Sequence, residues 1–308
     1  MNKYICLILS ILILSISGCD DDLPSNPEAS QRWVDWHIEK TSTDSYLYDV
    51  LIMDSISLVV GEKSTILASG HGDSWIVNMY GLADDIRSVL WTGDRFVAVG
   101  ACVLTSNDAS DWNASSGDYD MYDVALADTV LIGVGENIYR SYDNGKTWED
   151  VAILRGRCYG VAWSGSKLVT AGFYYENDGT HTALCQVSTE IDGTGWTTQH
   201  FHNPGSFLDV TWTGSQFILV GSDGVIKTSS DGEQWEDRDS GTLEHLWGVS
   251  SLNDSVVVVG LNGTILTSAD GIDWIARNSG TSNHFYGVSA SDTRIIAAGS
   301  NGTILVSE

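Results

Sequence analysis

A three-residue pattern recurs along the sequence and combines residue types that could form a binding site. It reads YDV at residues 48–50 and 122–124, YGV at 159–161 and 286–288, and RSV, LDV and WGV at three further places. Its first position holds Tyr48, Arg87, Tyr122, Tyr159, Leu208, Trp247 and Tyr286. Its second position holds three carboxylates, Asp49, Asp123 and Asp209. Aromatic rings beside carboxylates suit the binding of sugars, peptides or basic side chains.

A second interpretation of the same residues is structural. A repeated unit copies its packing residues along with the rest, so the aromatic residues could instead pack against a neighbouring unit. The sequence leaves both interpretations open.

Motifs of catalysis are missing from the sequence. We find no glycine-rich phosphate loop, no nucleophile elbow and no His-x-x-x-His zinc pattern. A glycoside hydrolase would need two carboxyl groups roughly 5 to 10 Å apart. Asp49, Asp123 and Asp209 come from alternate repeats, which disfavours such a pair. We therefore predict no catalytic residues, no cofactor and no metal site.

The elements that must position these residues form seven repeats. An apolar run ends in glycine at Gly61, Gly100, Gly135, Gly172, Gly221, Gly260 and Gly299, at intervals of 35 to 39 residues apart from one of 49. Each repeat contains four short strand-like segments separated by Asn-Gly or Asp-Gly type turns, and helical periodicity is absent. Four strands in about 40 residues are typical of a propeller blade. We predict an all-β, seven-bladed β-propeller.

The two ends of the chain should close this ring. After Gly299 the chain ends at Glu308, before a fourth strand can form. Trp75, Trp196, Trp235 and Trp274 each precede the next marker glycine by 25 residues, and Trp36 precedes Gly61 by the same interval. The segment around Trp36 is therefore predicted to be the outer strand of the last blade, which protects its edge from foreign pairing.

The single long interval contains an insertion after Gly172. Its sequence is FYYENDGTH, residues 173–181. We interpret it as a long loop on the same face as the recurring aromatic residues, where loops on a rigid scaffold often carry function. The insertion is equally compatible with tolerated drift.

The stretch SYDNGKTW at residues 141–148 returns as TSSDGEQW at 228–235 and TSADGIDW at 267–274. It is similar to the Asp-box of the BNR repeat, Ser-x-Asp-x-Gly-x-Thr-Trp. The mature chain as a whole resembles the photosystem II stability/assembly factor family of seven-bladed propellers. The resemblance implies that the box is a structural turn on the rim, away from the ligand face. It assigns that role to Ser141, Asp143, Gly145, Trp148, Asp231, Trp235, Asp270 and Trp274. Sialidases share the box, but their Arg-Ile-Pro motif is absent here.

The N-terminus has the features of an export signal. Lys3 precedes an apolar run from Ile5 to Ile16, and small residues come before Cys19. This pattern resembles the bacterial lipobox, which implies lipidation of Cys19 and a protein anchored in the cell envelope. We predict a signal peptide over residues 1–18, a flexible acidic tether over 19–30 and one propeller domain over 31–308. The outer membrane or cell surface is preferred over the inner membrane.

Charge limits the partners. The formal net charge is −26, which disfavours nucleic acid and anionic membrane surfaces, so contact with a membrane is expected through the lipid alone. We expect a monomeric, non-catalytic scaffold that binds another envelope or surface protein. The alternative is a surface protein that binds or processes glycans. The family's known contacts resemble a basic patch, so the acidic charge argues against a photosynthetic role.

Overall fold

The structure is a computed structural model that describes residues 35–39, 41–70, 74–79, 84–153, 156–252 and 255–307. The predicted signal peptide, Cys19 and the tether lie outside the described residues. Within the described ranges, no helix is long and apolar enough to span a membrane.

Seven four-stranded antiparallel sheets make up the fold. The first strand in the chain, β1 (Trp36–Glu39), belongs to blade 7. Blade 1 consists of β2 (Leu47–Ile52), β3 (Ser57–Gly61), β4 (Thr65–Ser69) and β5 (Ile76–Met79). Blade 2 consists of β6 (Ile86–Trp91), β7 (Phe96–Gly100), β8 (Val103–Ser106) and β9 (Asn113–Ala114). Blade 3 consists of β10 (Met121–Ala127), β11 (Val130–Gly135), β12 (Asn137–Ser141) and β13 (Glu149–Ile153). Blade 4 consists of β14 (Gly156–Trp163), β15 (Leu168–Tyr175), β16 (His181–Ser188) and β17 (Thr197–Pro204).

The remaining blades follow the same order. Blade 5 consists of β18 (Phe207–Trp212), β19 (Phe217–Gly221), β20 (Ile226–Ser229) and β21 (Glu236–Arg238). Blade 6 consists of β22 (Leu246–Leu252), β23 (Ser255–Gly260), β24 (Thr264–Ser268) and β25 (Ile275–Asn278). Blade 7 consists of β26 (Phe285–Ala290), β27 (Ile295–Gly299), β28 (Ile304–Ser307) and β1. The first strands of successive blades contact one another, and the contact of β26 with β2 closes the circle. The predicted seven-bladed propeller is confirmed.

The second strand of each blade is the most apolar because sheets cover both of its faces. Every residue of β3, β7, β19 and β27 is buried. The core clusters lie between blades; one of them joins Leu47 and Val59 of blade 1 to Ile296 and Val306 of blade 7. Apolar runs without alternation are expected for strands buried on both faces.

The marker glycine at the end of the second strand has a steric origin. A Cβ atom at Gly61 would overlap the carbonyl oxygen of Tyr46, and one at Gly299 would overlap that of His284. Both carbonyls belong to the residue that leads into the first strand of the same blade. A glycine is needed here because two segments of backbone approach closely.

The N-terminal strand completes blade 7, as predicted. β1 pairs antiparallel with β28, with Trp36 opposite Ser307 and Glu39 opposite Ile304. Trp36 packs on a core cluster of blades 6 and 7 that includes Val257 and Phe285.

The turn at residues 141–148 joins the third and fourth strands of blade 3. The Ser141 hydroxyl donates to the Asp143 carboxylate at 2.9 Å and accepts the Gly145 N–H at 2.9 Å. Trp148 donates its indole N–H to the Gly145 carbonyl at 3.1 Å, and its ring packs with Val97 of blade 2. The turn thus closes the outer hairpin of one blade and packs on the blade before it.

Two further copies of this turn are one residue shorter between the serine and the tryptophan and have similar hydrogen bonds. Asp231 accepts the N–H groups of the two residues that follow Gly232, and Asp270 accepts those of the two that follow Gly271, each at 2.8 to 3.0 Å. Trp235 also donates to the carbonyl of its own glycine, at 3.0 Å. Trp274 packs against the core cluster between blades 5 and 6.

The interpretation of residues 173–181 as a long loop is wrong. The strand β15 contains the first three residues of this segment, β16 begins at its last residue, and the two strands pair up to Tyr175 opposite His181. A short turn remains, in which Asp178 accepts the backbone N–H and the hydroxyl of Thr180 at 2.9 and 2.7 Å. Aromatic and β-branched residues on both sides of the polar turn favour strands, so the insertion lengthens blade 4 as a projecting hairpin.

Candidate binding site at the channel mouth

A cavity of about 720 Å³ lies on the axis of the propeller. Residues of all seven first strands line it, and the aromatic positions lie at the start of these strands. The lining includes every predicted ring residue: Tyr48, Asp49, Arg87, Tyr122, Asp123, Tyr159, Leu208, Asp209, Trp247 and Tyr286. We call the end of the cavity marked by these first-position residues the channel mouth.

The three aspartates hold neighbouring blades together in this wall. Asp49 accepts the N–H of the next residue, Val50, at 2.7 Å, and the N–H of Val89 in blade 2 at 2.8 Å. Asp123 accepts those of Val124 and of Val161 in blade 4, both at 2.8 Å. One carboxylate therefore satisfies backbone donors from two blades, and buried donors need such partners.

Asp209 repeats the arrangement one pair of blades further on. It accepts the N–H of Val210 at 2.7 Å and that of Val249 in blade 6 at 2.8 Å. Three aspartates thus serve six of the seven blades in pairs. Blade 7 is the odd one, and Gly287 at its equivalent position has no side chain that could accept.

The intervening blades carry small residues at the aspartate position. Ser88 donates its hydroxyl to Asp123 at 2.7 Å. A Cβ atom at Gly160 would lie 2.8 Å from Asp209 Oδ1, and one at Gly248 would lie 2.7 Å from the Tyr286 carbonyl oxygen. The first strands approach too closely there for a larger side chain. This explains the alternation of acidic and small residues along the repeats.

Burial and mutual repulsion perturb the three carboxyl groups. Burial, followed by the charge of Asp123, raises the pKa of Asp49 to about 7. Burial also raises the pKa of Asp123. The pKa of Asp209 is well above its usual range because of burial and of the charge on Asp123. The negative charge of one aspartate raises the pKa of another across the channel, because like charges in a poorly solvated site disfavour ionisation.

Four aromatic rings form one side of the channel mouth. The Tyr286 ring lies 6.1 Å from that of Tyr46, 6.0 Å from that of Tyr48 and 5.7 Å from that of Trp247, measured between centroids. These contacts join blades 6, 7 and 1. The aromatic residues therefore pack against neighbouring blades and line the cavity at the same time, so the two interpretations of the sequence are compatible.

The opposite side of the channel mouth contains two arginines around one ring. The Arg87 and Arg157 guanidinium carbons lie 4.3 and 5.1 Å from the centroid of the Tyr122 ring. Arg87 also pairs with Asp120 at 2.5 Å, and Arg157 pairs with Glu136 at 2.5 Å. Stacked guanidinium groups of this kind are cation–π contacts.

Sequence reasoning missed Arg157, Tyr46 and Asp85 as residues of this region. Tyr46 and Asp85 line the cavity from the segments that lead into β2 and β6. Arg157 precedes Tyr159 by two residues on the same strand, and two residues of separation on a strand place both side chains on one face. This spacing is the sequence feature from which Arg157 could have been predicted to lie beside Tyr159.

Aromatic contacts continue from the channel mouth along the projecting hairpin of blade 4. The Tyr159 ring lies 5.0 Å from that of Tyr122 and 5.8 Å from that of Phe173. Phe173 lies 4.9 Å from Tyr175, whose side chain is 47% exposed. An aromatic strip therefore leads from the cavity to an exposed surface.

The chemistry available at this site is that of binding. Each of the three deep carboxylates accepts backbone N–H groups. In the described ranges, no three His, Cys, Asp or Glu side chains come close enough together to hold one metal ion. Aromatic faces, carboxylate oxygens and guanidinium groups suit the recognition of a polar or charged ligand with some apolar surface.

Comparison with known proteins shows the fold. No protein-family model matches the sequence, and no curated protein matches it. Among solved structures, YCF48 bound to a D1 peptide is 19% identical over 88% of this chain and 94% of that one, with a TM-score of 0.71. YCF48 from Cyanidioschyzon merolae is 16% identical over 89% and 98%, with a TM-score of 0.67.

A third similar structure belongs to an enzyme. Catalytically inactive virginiamycin B lyase from Staphylococcus aureus with quinupristin is 9% identical over 89% of this chain and 99% of that one, with a TM-score of 0.72. At these identities the likeness establishes a shared propeller and leaves function open. The seven-bladed ring and the two YCF48 structures fit the family resemblance noted in the sequence.

Proposed function

We propose that this protein is a lipid-anchored, extracytoplasmic scaffold that binds a segment of another envelope or surface protein at the channel mouth and catalyses no reaction. The observation that carries the proposal is the composition of the cavity wall. Tyrosine, tryptophan and arginine dominate the rim, and these types supply most binding energy at protein interfaces.

The shape of the site supports an extended segment as the ligand. A cavity of about 720 Å³ has room for one or two side chains of a partner. The aromatic strip from Tyr159 to Tyr175 offers a surface for the residues beside them. YCF48, a structural neighbour, was solved bound to a D1 peptide, which supports peptide binding as a use of this fold.

The anchor rests on the N-terminal sequence. Small residues before Cys19 resemble a lipobox, and the acidic segment after it suits a flexible tether. Such a tether would place the propeller near an envelope surface while leaving the channel mouth accessible.

Glycan binding is the second candidate. Aromatic rings beside carboxylates are also found where sugars bind, and the mouth has both. The deep carboxylates already accept backbone N–H groups, which disfavours their use as the acid and base of a glycosidase.

The test is partner capture by the full-length protein extracted in detergent from its own membranes. The variant Tyr122→Ala/Trp247→Ala/Tyr286→Ala removes three rings of the mouth. The control is Tyr142→Ala, which removes an exposed ring from the opposite face. We expect one protein that the native chain and the control retain, that the triple variant loses, and that binds the purified chain directly.

Two outcomes would contradict the proposal. Equal capture by the folded triple variant would place the interface elsewhere. Capture of glycan without protein would favour the second candidate.

A further inference from the structure

The charge of the central cavity is unbalanced. Four aspartates line it, Asp49, Asp85, Asp123 and Asp209, and within the described residues Arg87 is the single basic side chain of the lining. The Arg87 guanidinium bonds to Asp120 at 2.5 Å and to the Met121 carbonyl at 3.0 Å. Arg87 is therefore already paired at the rim, and the described part of the chain brings no other basic side chain into the cavity lining beside the deeper aspartates.

The deep aspartates retain hydrogen-bonding capacity. A carboxylate offers about four acceptor positions. Two of these are used at Asp49 by Val50 and Val89, and two at Asp209 by Val210 and Val249. The Ser88 hydroxyl also interacts with Asp49, so at least one acceptor position on Asp49 and two on Asp209 remain for a donor in the cavity.

The aromatic wall is suited to a planar cation. Tyr48, Trp247 and Tyr286 stand beside the aspartates in the same cavity. Tyr122 in this wall already has two guanidinium groups over its ring, at 4.3 and 5.1 Å. Arginine combines stacking on aromatic rings with a fork of donors that matches carboxylates, and lysine provides the charge alone.

The residues of the cavity are poorly suited to an anion or a metal ion as the ligand. An anion would further disfavour the ionised form of the three deep aspartates, whose pKa values burial already raises, whereas a cation would favour that form. Within the described ranges the side chains needed for one metal ion are not brought together. A narrow cavity between low-dielectric walls concentrates the negative potential and attracts cations.

We propose that the central cavity binds one cationic side chain, arginine in preference to lysine, from the segment that the channel mouth recognises. The proposal rests on the proposed function and specifies its ligand. A partner would present a basic residue in an extended stretch, with that side chain inserted between the aromatic rings toward Asp49, Asp123 and Asp209.

The test uses the full-length protein in detergent and three peptides with uncharged termini, acetyl-Gly-Gly-Arg-Gly-Gly-amide and its citrulline and lysine counterparts. Citrulline has nearly the shape of arginine but no charge. Binding is followed by the indole N–H signal of Trp247 in a nitrogen-15 spectrum, assigned with Trp247→Phe. We expect the arginine peptide to bind at least about tenfold more tightly than the citrulline peptide, with the lysine peptide between them.

Two variants test whether the preference for the arginine peptide depends on the aspartates of the cavity. Asp209→Asn should reduce the preference to about twofold or less. Asp223→Asn, which removes an exposed carboxylate outside the cavity lining, should leave it unchanged. If Asp209→Asn fails to fold, Asp85→Asn at the rim is used in its place and should reduce the preference at least about threefold.

Equal binding of the arginine and citrulline peptides would overturn the proposal. So would an unchanged preference in the folded Asp209→Asn variant, or no shift of the Trp247 signal up to about 10 mM of either peptide. If partner capture still depends on the aromatic residues in that case, the proposed function stands and the cationic ligand is wrong. If arginine is preferred but no partner depends on the mouth, the proposed function is wrong.

Discussion

At the scale of single residues, the main finding is the double role of the aspartates in the channel wall. Asp49, Asp123 and Asp209 link the backbones of paired blades and also give the cavity its charge. The first role stabilises the ring. The second leaves like charges close together, which opposes their ionisation.

These aspartates make the stability of the ring dependent on pH. The pKa of Asp49 rises from 3.8 to about 7 in the fold, mainly because of burial. Between these values the native state holds a proton that the unfolded chain has released, so the free energy of unfolding falls as the pH rises. Each pKa unit corresponds to about 1.4 kcal/mol.

We expect Asp49→Ser to weaken this dependence. Serine occurs naturally at the equivalent position of blade 2, as Ser88, and removes the titrating group. The native protein should melt several degrees higher at about pH 5 than at about pH 7, and the difference should shrink in the variant. Asp54→Ser, at an exposed carboxyl in the same blade, should keep the native difference. An unchanged difference in Asp49→Ser would show that Asp49 titrates normally.

Part of this site could be predicted from the sequence. Alignment of the first strands placed Tyr48, Tyr122, Trp247 and Tyr286 together around the axis, where they line the cavity. The hydrogen bond from the Val89 N–H to the Asp49 carboxylate could not be predicted, because it depends on the spacing between strands of different blades. The alternation of acidic and small residues was visible, but its cause lies in that spacing.

At the scale of elements, the closing strand β1 is the feature that the sequence determined best. An interval of 25 residues from tryptophan to glycine fixed its place, and the register of β1 with β28 agrees. The hairpin of blade 4 was misread because Glu176, Asn177, Asp178 and Gly179 resemble a loop. The flanking residues extend the strands, and only the polar centre turns.

Removal of the Trp36 side chain should weaken the closure. A fully buried tryptophan is worth about 3 to 5 kcal/mol against alanine. Trp36 is half-buried, so we expect Trp36→Ala to lower the free energy of unfolding by about 2 to 3 kcal/mol. The measurement is the melting temperature or a denaturant midpoint.

Ile38→Ala provides the matched control for this change. Ile38 lies on the same strand and is 50% exposed, so its loss should shift the midpoint by well under half of the Trp36→Ala effect. Equal midpoints for the native protein and Trp36→Ala would show that β1 contributes little to the stability of the ring.

At the scale of the whole molecule, the seven-bladed ring combines a strongly negative net charge with an aromatic channel mouth. A net charge of −26 opposes self-association of the propeller and favours basic partners. The propeller architecture itself is compatible with many functions. The particular residues of the mouth, rather than the fold, therefore carry the proposed function.

The proposed lipid anchor gives a further prediction at this scale. Cys19→Ser removes the sulfur that a lipid would modify, so we expect the protein to move from the membrane fraction to the soluble fraction. Cys102→Ser changes a cysteine within the propeller and should leave the distribution unchanged. Continued membrane association of Cys19→Ser, resistant to salt and alkaline washing, would refute the lipobox interpretation.

The measurement that tests the central claim most directly is site-specific photo-cross-linking in the native envelope. A photoreactive amino acid replaces Tyr46 at the channel mouth, 45% exposed, or Tyr142 on the opposite face, 59% exposed. We predict that position 46 cross-links one short segment of a single protein, that this segment contains a basic residue, and that position 142 does not capture it. Capture of that segment from position 142 but not from position 46 would contradict a binding site at the channel mouth.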